Sequence, residues 1–255
     1  MANSSYTFDN IISTGTGYFS KESGFSASVR RMQTKLNRLG YNCGSADGYF
    51  GANTETQVKA FQRDQGLAAD GKAGRDTLSR LDALSPDSAD ENYGRELTHA
   101  QLTSGYSNSA ISNVEALART IYGEDTRYSD GQAAVAKELY NRQRSSRKFG
   151  SLSGTSAGSK SWKGLCYDSS QYAVMTGNSS HTQDSRKPNQ YSTEWARCVS
   201  LAKTLVRGVK PSSTLGTQCF HLSSDSSYPS NSVASTRVQI PAGVGNKFFD
   251  YQTSL

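Results

Sequence analysis

Asp47-Gly48-Tyr49-Phe50-Gly51-Ala52-Asn53-Thr54 returns 23 residues later as Asp70-Gly71-Lys72-Ala73-Gly74-Arg75-Asp76-Thr77, with four of the eight positions identical. Each copy reads as a turn followed by a helix start. Asp-Gly makes the turn, the second glycine permits a positive φ, and the threonine can cap the next helix. Thr54 is followed three residues later by Gln57, a capping-box spacing. Upstream, Val29, Met32, Leu36 and Leu39 fall on one helical face that Gly40 ends. Downstream, Val58 and Phe61 continue the second helix, and Leu78, Leu81 and Leu84 the third. Residues 26–84 therefore read as a small three-helix domain with two similar turn–helix joints.

The rest of the chain divides around this unit. Residues 1–25 are polar and glycine-rich without a sustained period, and read as an extension. Residues 85–109 are rich in Ser, Asp and Gly and read as a linker. Residues 110–255 form a larger unit. Ser112 can cap a helix with Leu117, Ala118 and Ile121 on its apolar face, and Asp130 can cap a second over 131–142. Thr193 starts a third helix, closed by Gly208. Residues 143–160, basic and rich in Ser and Gly, read as a mobile loop. Thr217–Leu222 and Arg237–Ile240 read as short strands. The expected fold is thus two domains, the second a helix-dominated α+β domain.

Composition narrows the class of partner. Apolar residues and glycine together make about 44% of the 255 residues, close to the ordinary globular range of about 45–50%. No apolar stretch approaches the ~20 residues of a membrane-spanning helix, so no membrane insertion is expected. The net charge is +6, with nine basic and six acidic residues in 26–84 and seventeen and ten in 110–255. A cationic surface suits a polyanion such as a nucleic acid, an anionic membrane or an anionic cell wall. No basic run, zinc-finger spacing or P-loop supports nucleic acid. The start, Met1-Ala2-Asn3-Ser4-Ser5-Tyr6, lacks a basic stretch and an apolar h-region, so synthesis in a cytoplasm without a signal peptide is expected. Cys43, Cys166, Cys198 and Cys219 match no metal-binding spacing and read as reduced, mostly buried thiols.

Leu36…Gly40-Tyr41, Asp47-Gly48-Tyr49-Phe50-Gly51, Thr54, Phe61-Gln62, Gly66-Leu67, Asp70-Gly71-Lys72-Ala73-Gly74 and Thr77…Leu81 together resemble the peptidoglycan-binding domain of many cell wall hydrolases. The resemblance implies a shallow muropeptide groove near the first turn, with Tyr41, Asp47 and Phe50 as candidate contacts. The glycines are expected only to shape the fold.

In the larger unit Glu124 stands at a helix end, three residues after Ile121, which places its carboxyl near the inward face. A carboxyl held against apolar groups has a raised pKa and can act as a general acid. A helix-end Glu is as a rule solvated, so the residues alone leave its role open. Ala116-Leu117-Ala118-Arg119-Thr120-Ile121-Tyr122-Gly123-Glu124, then Gly131-Gln132-Ala133-Ala134-Val135-Ala136 and Asn141-Arg142, resemble the opening of the SleB-type, spore-cortex-lytic cell wall hydrolases. Gln171-Tyr172, Trp195…Ala202…Leu205…Gly208, Gly216-Thr217…Phe220-His221 and Ile240…Gly245-Asn246-Lys247-Phe248-Phe249 follow in family order. The family's small residue after the acid is Asp125 here.

That resemblance implies a lysozyme/transglycosylase-like fold and a single catalytic Glu, here Glu124. It implies cleavage between N-acetylmuramic acid and N-acetylglucosamine without cofactor or metal. A lytic transglycosylase needs one carboxyl, because the muramic 6-hydroxyl attacks within the same molecule. A hydrolytic muramidase needs a second carboxylate, for which Asp125, Asp130 and Asp168 are candidates. Tyr122, Asn141, Gln171 and Tyr172 are candidate glycan contacts, whereas Trp162 and Trp195 are expected in the core. Two other classes stay open: a Cys/His peptidase or amidase using Cys166 with His181 or His221, and a non-catalytic wall-binding protein. His99, His181 and His221 show no zinc-ligand spacing. A monomeric phage endolysin acting on bacterial peptidoglycan fits the setting best, and a bacterial enzyme with its own export route fits second.

Overall fold

The computed structural model describes residues 3–22, 24–85, 93–107, 110–145, 161–167, 172–177, 180–218, 220–222, 226–228, 230, 232, 234–242 and 246–249. The chain forms two compact units. The first comprises Met1–Glu91 with Val206–Val209, and the second Asn92–Leu205 with Lys210–Leu255.

In the first unit, α1 (Phe8–Thr14), α2 (Ala27–Arg38), α3 (Ala52–Asp64) and α4 (Arg75–Leu84) surround a core of Val29, Met32, Leu36, Val58, Phe61, Leu78 and Leu81. The N-terminal residues, expected as an extension, belong to this core. Phe8, Ile11 and Phe19 are buried, and α1 packs on α4 and α2. Phe8, Ile11 and half-buried Ile12 follow a helical spacing over little more than one turn, and Phe19 adds a further anchor. Ser26 caps α2 through the Val29 amide.

The two turns share one construction. Gln33 of α2 donates its amide to Asp47 Oδ1, the Tyr49 carbonyl and Thr54 Oγ1, each at 3.0 Å, and accepts from the Gly48 amide at 2.8 Å. Gln62 of α3 does the same for the second copy: Asp70 Oδ1 at 3.0 Å, the Lys72 carbonyl at 3.0 Å, Thr77 Oγ1 at 3.1 Å, and the Gly71 amide at 2.9 Å. Thr54 and Thr77 are therefore acceptors for buried glutamines. The N-cap positions fall to Gly51 and Gly74, which make no side-chain cap. The positive φ falls on the first glycine of each copy, +87° at Gly48 and +78° at Gly71. Short isolated bridges pair Phe25 with Tyr49 and Phe19 with Ala73, so the segment before α2 lines both turns.

The second unit is built round α6 (Asn113–Glu124), which is buried on all sides from Val114 to Gly123. It packs against α7 (Ser129–Arg144), α8 (Trp162–Tyr167) and α9 (Ser180–Arg186). Burying a whole helix forces its polar residues to pair. Arg119 holds Glu115 at 2.8 Å and donates to the carbonyls of Ser185 at 2.6 Å and Arg95 at 2.7 Å. The later part of the expected linker is thus structural. Leu97 and Leu102 are buried, and α5 (His99–Thr103) carries a capping box. Gly123 permits the close approach of α9, since a Cβ there would meet Ser185 Oγ at 2.0 Å.

Asp130, expected as a cap, lies in the first turn of α7, whose N-cap is Tyr128. The third expected helix is α10 (Thr193–Val206), with Ser192 accepting from the Trp195 amide and Gly208 at φ +78° beyond its end. A three-stranded antiparallel sheet in the order β1 (Phe220–Leu222), β3 (Asn246–Phe249), β2 (Val238–Ile240) completes the unit. Of the expected strand over 217–222, Phe220–Leu222 forms β1. Most of the expected loop, 146–160, lies outside the described residues.

Candidate active site

Glu124 is the last residue of α6, a helix buried from Val114 to Gly123. Its side chain is 15% exposed, so it is largely enclosed while still reaching solvent. Its backbone carbonyl accepts from Asn246 Nδ2 of β3 at 3.1 Å, and its Oε2 lies 2.9 Å from His221 Nε2. His221 stands in β1 opposite Phe248, with its ring between Tyr172 and Phe248. Its other nitrogen, Nδ1, lies 2.7 Å from Glu138 Oε2. Glu138, on α7, is fully buried. It accepts from Arg142 Nη2 at 2.7 Å and from the Tyr172 hydroxyl at 3.2 Å.

The chain Glu124–His221–Glu138–Arg142 is a charge-balanced cluster. Two carboxylates against one guanidinium would leave a buried negative charge, and a protonated imidazole removes it. Burial works against the charged imidazole, but Glu138 and Glu124 outweigh it and hold the His221 pKa up at about 10. Burial likewise opposes the Glu138 carboxylate, yet Arg142 and His221 keep its pKa below the usual value.

The candidate glycan contacts lie in varied places. Tyr172 is buried completely and serves Glu138, so it supports the cluster from behind and is no wall for a sugar. Tyr122 is buried against Trp195, with ring centroids 5.6 Å apart, and its hydroxyl accepts from the Asn189 amide at 3.4 Å. Asn141 donates to the carbonyls of Gly216 at 3.1 Å and Gln218 at 2.9 Å, tying α7 to the chain that enters β1. It also lines a cavity of about 620 Å³ with Lys137, Tyr140 and Lys210. Gln171 and Asp168 lie outside the described residues. Asp125, a candidate second carboxylate, is buried. Its Oδ1 accepts from the amides of Arg127 and Tyr128, and burial raises its pKa against those bonds.

In the first unit, Tyr41 and Phe50 are core residues and not groove contacts. Tyr41 donates to Asp64 at 2.9 Å, and Phe50 is fully buried. Adjacent residues in extended chain point to opposite sides, so at the first turn Tyr49 faces out and Phe50 in. Tyr49 and Phe25 form an exposed edge-to-face pair with centroids 5.8 Å apart. Asp47 is exposed and holds the turn through the Tyr49 amide and Gln33. A cavity of about 590 Å³ lies at the second turn, lined by Tyr18, Gln62, Lys72, Arg75 and Asp76 among others.

Cys166 is fully buried, and burial pushes its thiol up to about 12, far from the thiolate a nucleophile needs. Cys43 and Cys198 are buried free thiols, and Cys219 lies outside the described residues. Trp162 and Trp195 are buried as expected.

Sequence reasoning did not assign His221 and Glu138 to the Glu124 site. Glu138 sits four residues before Arg142, the spacing of an ordinary surface helix pair. A signal was nevertheless present: Glu138 shares a helical face with Ala134, Val135 and Leu139, all buried, and a carboxylate on an apolar face needs a partner.

Residues 26–81 match the family described as a peptidoglycan binding domain. Over 57 residues the chain is 44% identical to the N-acetylmuramoyl-L-alanine amidase CwlM of Mycobacterium tuberculosis, covering 22% of this chain and 14% of that protein. Over 105 residues it is 31% identical to the spore cortex-lytic enzyme of Oceanobacillus iheyensis, covering 41% of this chain and 32% of that protein. The chain thus spans about a third or less of the curated relatives it matches, and the established similarity is to proteins of the bacterial cell wall.

Proposed function

We propose that this chain is a peptidoglycan-cleaving enzyme of the bacterial cell wall, cutting between N-acetylmuramic acid and N-acetylglucosamine as a lytic transglycosylase with Glu124 as its acid–base group. The observation that carries the reading is the placement of Glu124, a partly exposed carboxyl at the end of a buried helix whose Oε2 lies 2.9 Å from Nε2 of the enclosed His221 imidazole. The match to a peptidoglycan binding domain and the similarity to a spore cortex-lytic enzyme support peptidoglycan as the substrate. The amidase similarity runs over a length close to that of the binding domain.

In this mechanism Glu124 protonates the leaving glycosidic oxygen as the bond to the anomeric carbon breaks. The resulting carboxylate then takes the proton of the muramic 6-hydroxyl, whose oxygen closes on the anomeric carbon. Two neighbouring carboxylates are poorly placed to activate water instead. The Asp125 Oδ1 is held by two backbone amides, and Glu138 lies buried behind His221. The small unit would hold the enzyme on its polymer.

The test is mass spectrometry of purified peptidoglycan digested by the wild-type chain and by Glu124→Gln. Anhydro-muramic ends from the wild type and none from the variant are expected. Reducing muramic ends would make it a muramidase, free stem peptides an amidase, and cleavage by Glu124→Gln would remove the assignment.

A further inference from the structure

Both ring nitrogens of His221 lie within hydrogen-bond distance of a carboxylate oxygen. Glu138 has Arg142 and the Tyr172 hydroxyl as donors, which keeps it ionised, so Nδ1 carries a proton and donates to it. The contact between Nε2 and Glu124 Oε2 is then the informative one. If neither atom held a proton, a nitrogen lone pair would face a carboxylate oxygen at 2.9 Å, a repulsive arrangement. A proton must lie between them, on the nitrogen or on the oxygen.

Among the described residues, the groups against the imidazole are Glu124 from α6, Glu138 from α7 and Tyr172 from the segment before α9, with Arg142 paired to Glu138. The sheet presents uncharged Phe248. Of these, Glu138 accepts from Nδ1 and Glu124 faces Nε2.

We infer that His221 is the proton partner of Glu124, a buried imidazole oriented by Glu138 that shares one proton with the catalytic carboxyl and keeps a general acid available well above the carboxyl range of pH. The inference rests on Glu124 being the acid. It assigns His221 as a positioning and proton-holding residue that does not touch the sugar. In the dominant form the proton sits on Nε2. In the minor form it sits on Oε2, and a turn of the carboxyl about its Cγ–Cδ bond presents it to the leaving oxygen. The proton then moves to that oxygen as the glycosidic bond breaks, the 6-hydroxyl proton returns to Glu124, and His221 ends the turnover as it began. Both forms hold the same number of protons, so their ratio does not vary with pH until the pair loses its proton. This is the coupled behaviour of two interacting sites.

A lone carboxyl of ordinary pKa behaves differently. Its protonated fraction falls roughly 800-fold between pH 5 and pH 8. The experiment compares kcat and KM of the full chain on soluble peptidoglycan strands across that range for wild type, His221→Gln and Glu124→Gln. His221→Gln keeps a side-chain donor but cannot titrate.

For wild type, kcat should change by less than about tenfold across the range, as a shared proton predicts. For His221→Gln it should fall by several hundredfold, with KM little altered. A His221→Gln profile parallel to wild type overturns the inference while leaving the acid assignment intact. Cleavage by Glu124→Gln overturns the acid assignment itself.

A second measurement covers a variant that fails to fold. His99 and His181 are exposed, and His99→Gln with His181→Gln leaves His221 as the one histidine of the three in the chain. Nitrogen NMR of the labelled ring should show both nitrogens protonated at pH 8. A ring that titrates near 6.5 refutes the proposal whatever the kinetics show.

Discussion

Replacing Gln62 tests whether one buried amide organises the second turn. Its NH2 lies 3.0–3.1 Å from three acceptors, which its two N–H share, and its Oε1 accepts from the Gly71 amide at 2.9 Å. In Gln62→Ala, Asp70 and Lys72 are exposed and can recover water, whereas the Gly71 amide and the Thr77 hydroxyl are buried and cannot. Each buried group left unsatisfied costs about 1–3 kcal/mol, so about 3 kcal/mol is expected after partial relaxation. For a unit of this size each kcal/mol moves the midpoint by about 4–8 °C, which makes the expected fall roughly 15 °C.

Gln62→Glu has nearly the same shape but cannot donate to three acceptors, and it places a carboxylate against Asp70. It should cost more than alanine. Both tryptophans, Trp162 and Trp195, lie in the second unit. Tryptophan emission therefore follows that unit, while circular dichroism follows both. The variants should lower the dichroism transition of the first unit and leave the emission transition in place. Sedimentation with insoluble peptidoglycan should weaken in parallel. A loss below about 0.5 kcal/mol for Gln62→Ala, the size of an ordinary surface change, or a glutamate milder than alanine, would refute the reasoning.

Two further outcomes follow from the second unit. The raised His221 pKa stabilises the fold in full below about 6.5, and this contribution is lost as pH rises through about 10. The stability gap between wild type and His221→Gln, measured by denaturant melts, should accordingly shrink between pH 7 and pH 10. A gap independent of pH would show that the imidazole is not charged. Cys166→Ala should leave peptidoglycan cleavage intact while costing about 1 kcal/mol of stability for the lost packing. Abolished cleavage in a folded variant would restore the thiol mechanism.

The sequence alone determined the parts whose causes are local. The doubled Asp-Gly turns, the amphipathic stretch that became α2, the Ser112 cap of α6 and the glycine stop after α10 each declare themselves within one or two helical turns. Glu124 was legible as the end of such a helix. Other features were decided only in three dimensions. Gln33 and Gln62 carry no periodic signature, yet each organises a turn, because a buried amide is useful only once its acceptors surround it. Phe8, Ile11 and Phe19 make too short an apolar pattern in a polar segment to declare a core element until α4 gives α1 a surface to cover. Tyr41 and Phe50, which the resemblance points to, and Tyr172, whose ring suits a sugar face, are placed by burial in the core or at the back of the site.

The sharpest case is the partner of Glu124. His221 lies 97 residues away from it and 83 from Glu138. Nothing local links a mid-helix glutamate, a helix-end glutamate and a strand histidine. What joins them is electrostatic: charges removed from water must find opposite charges, and only the folded chain brings those charges within reach.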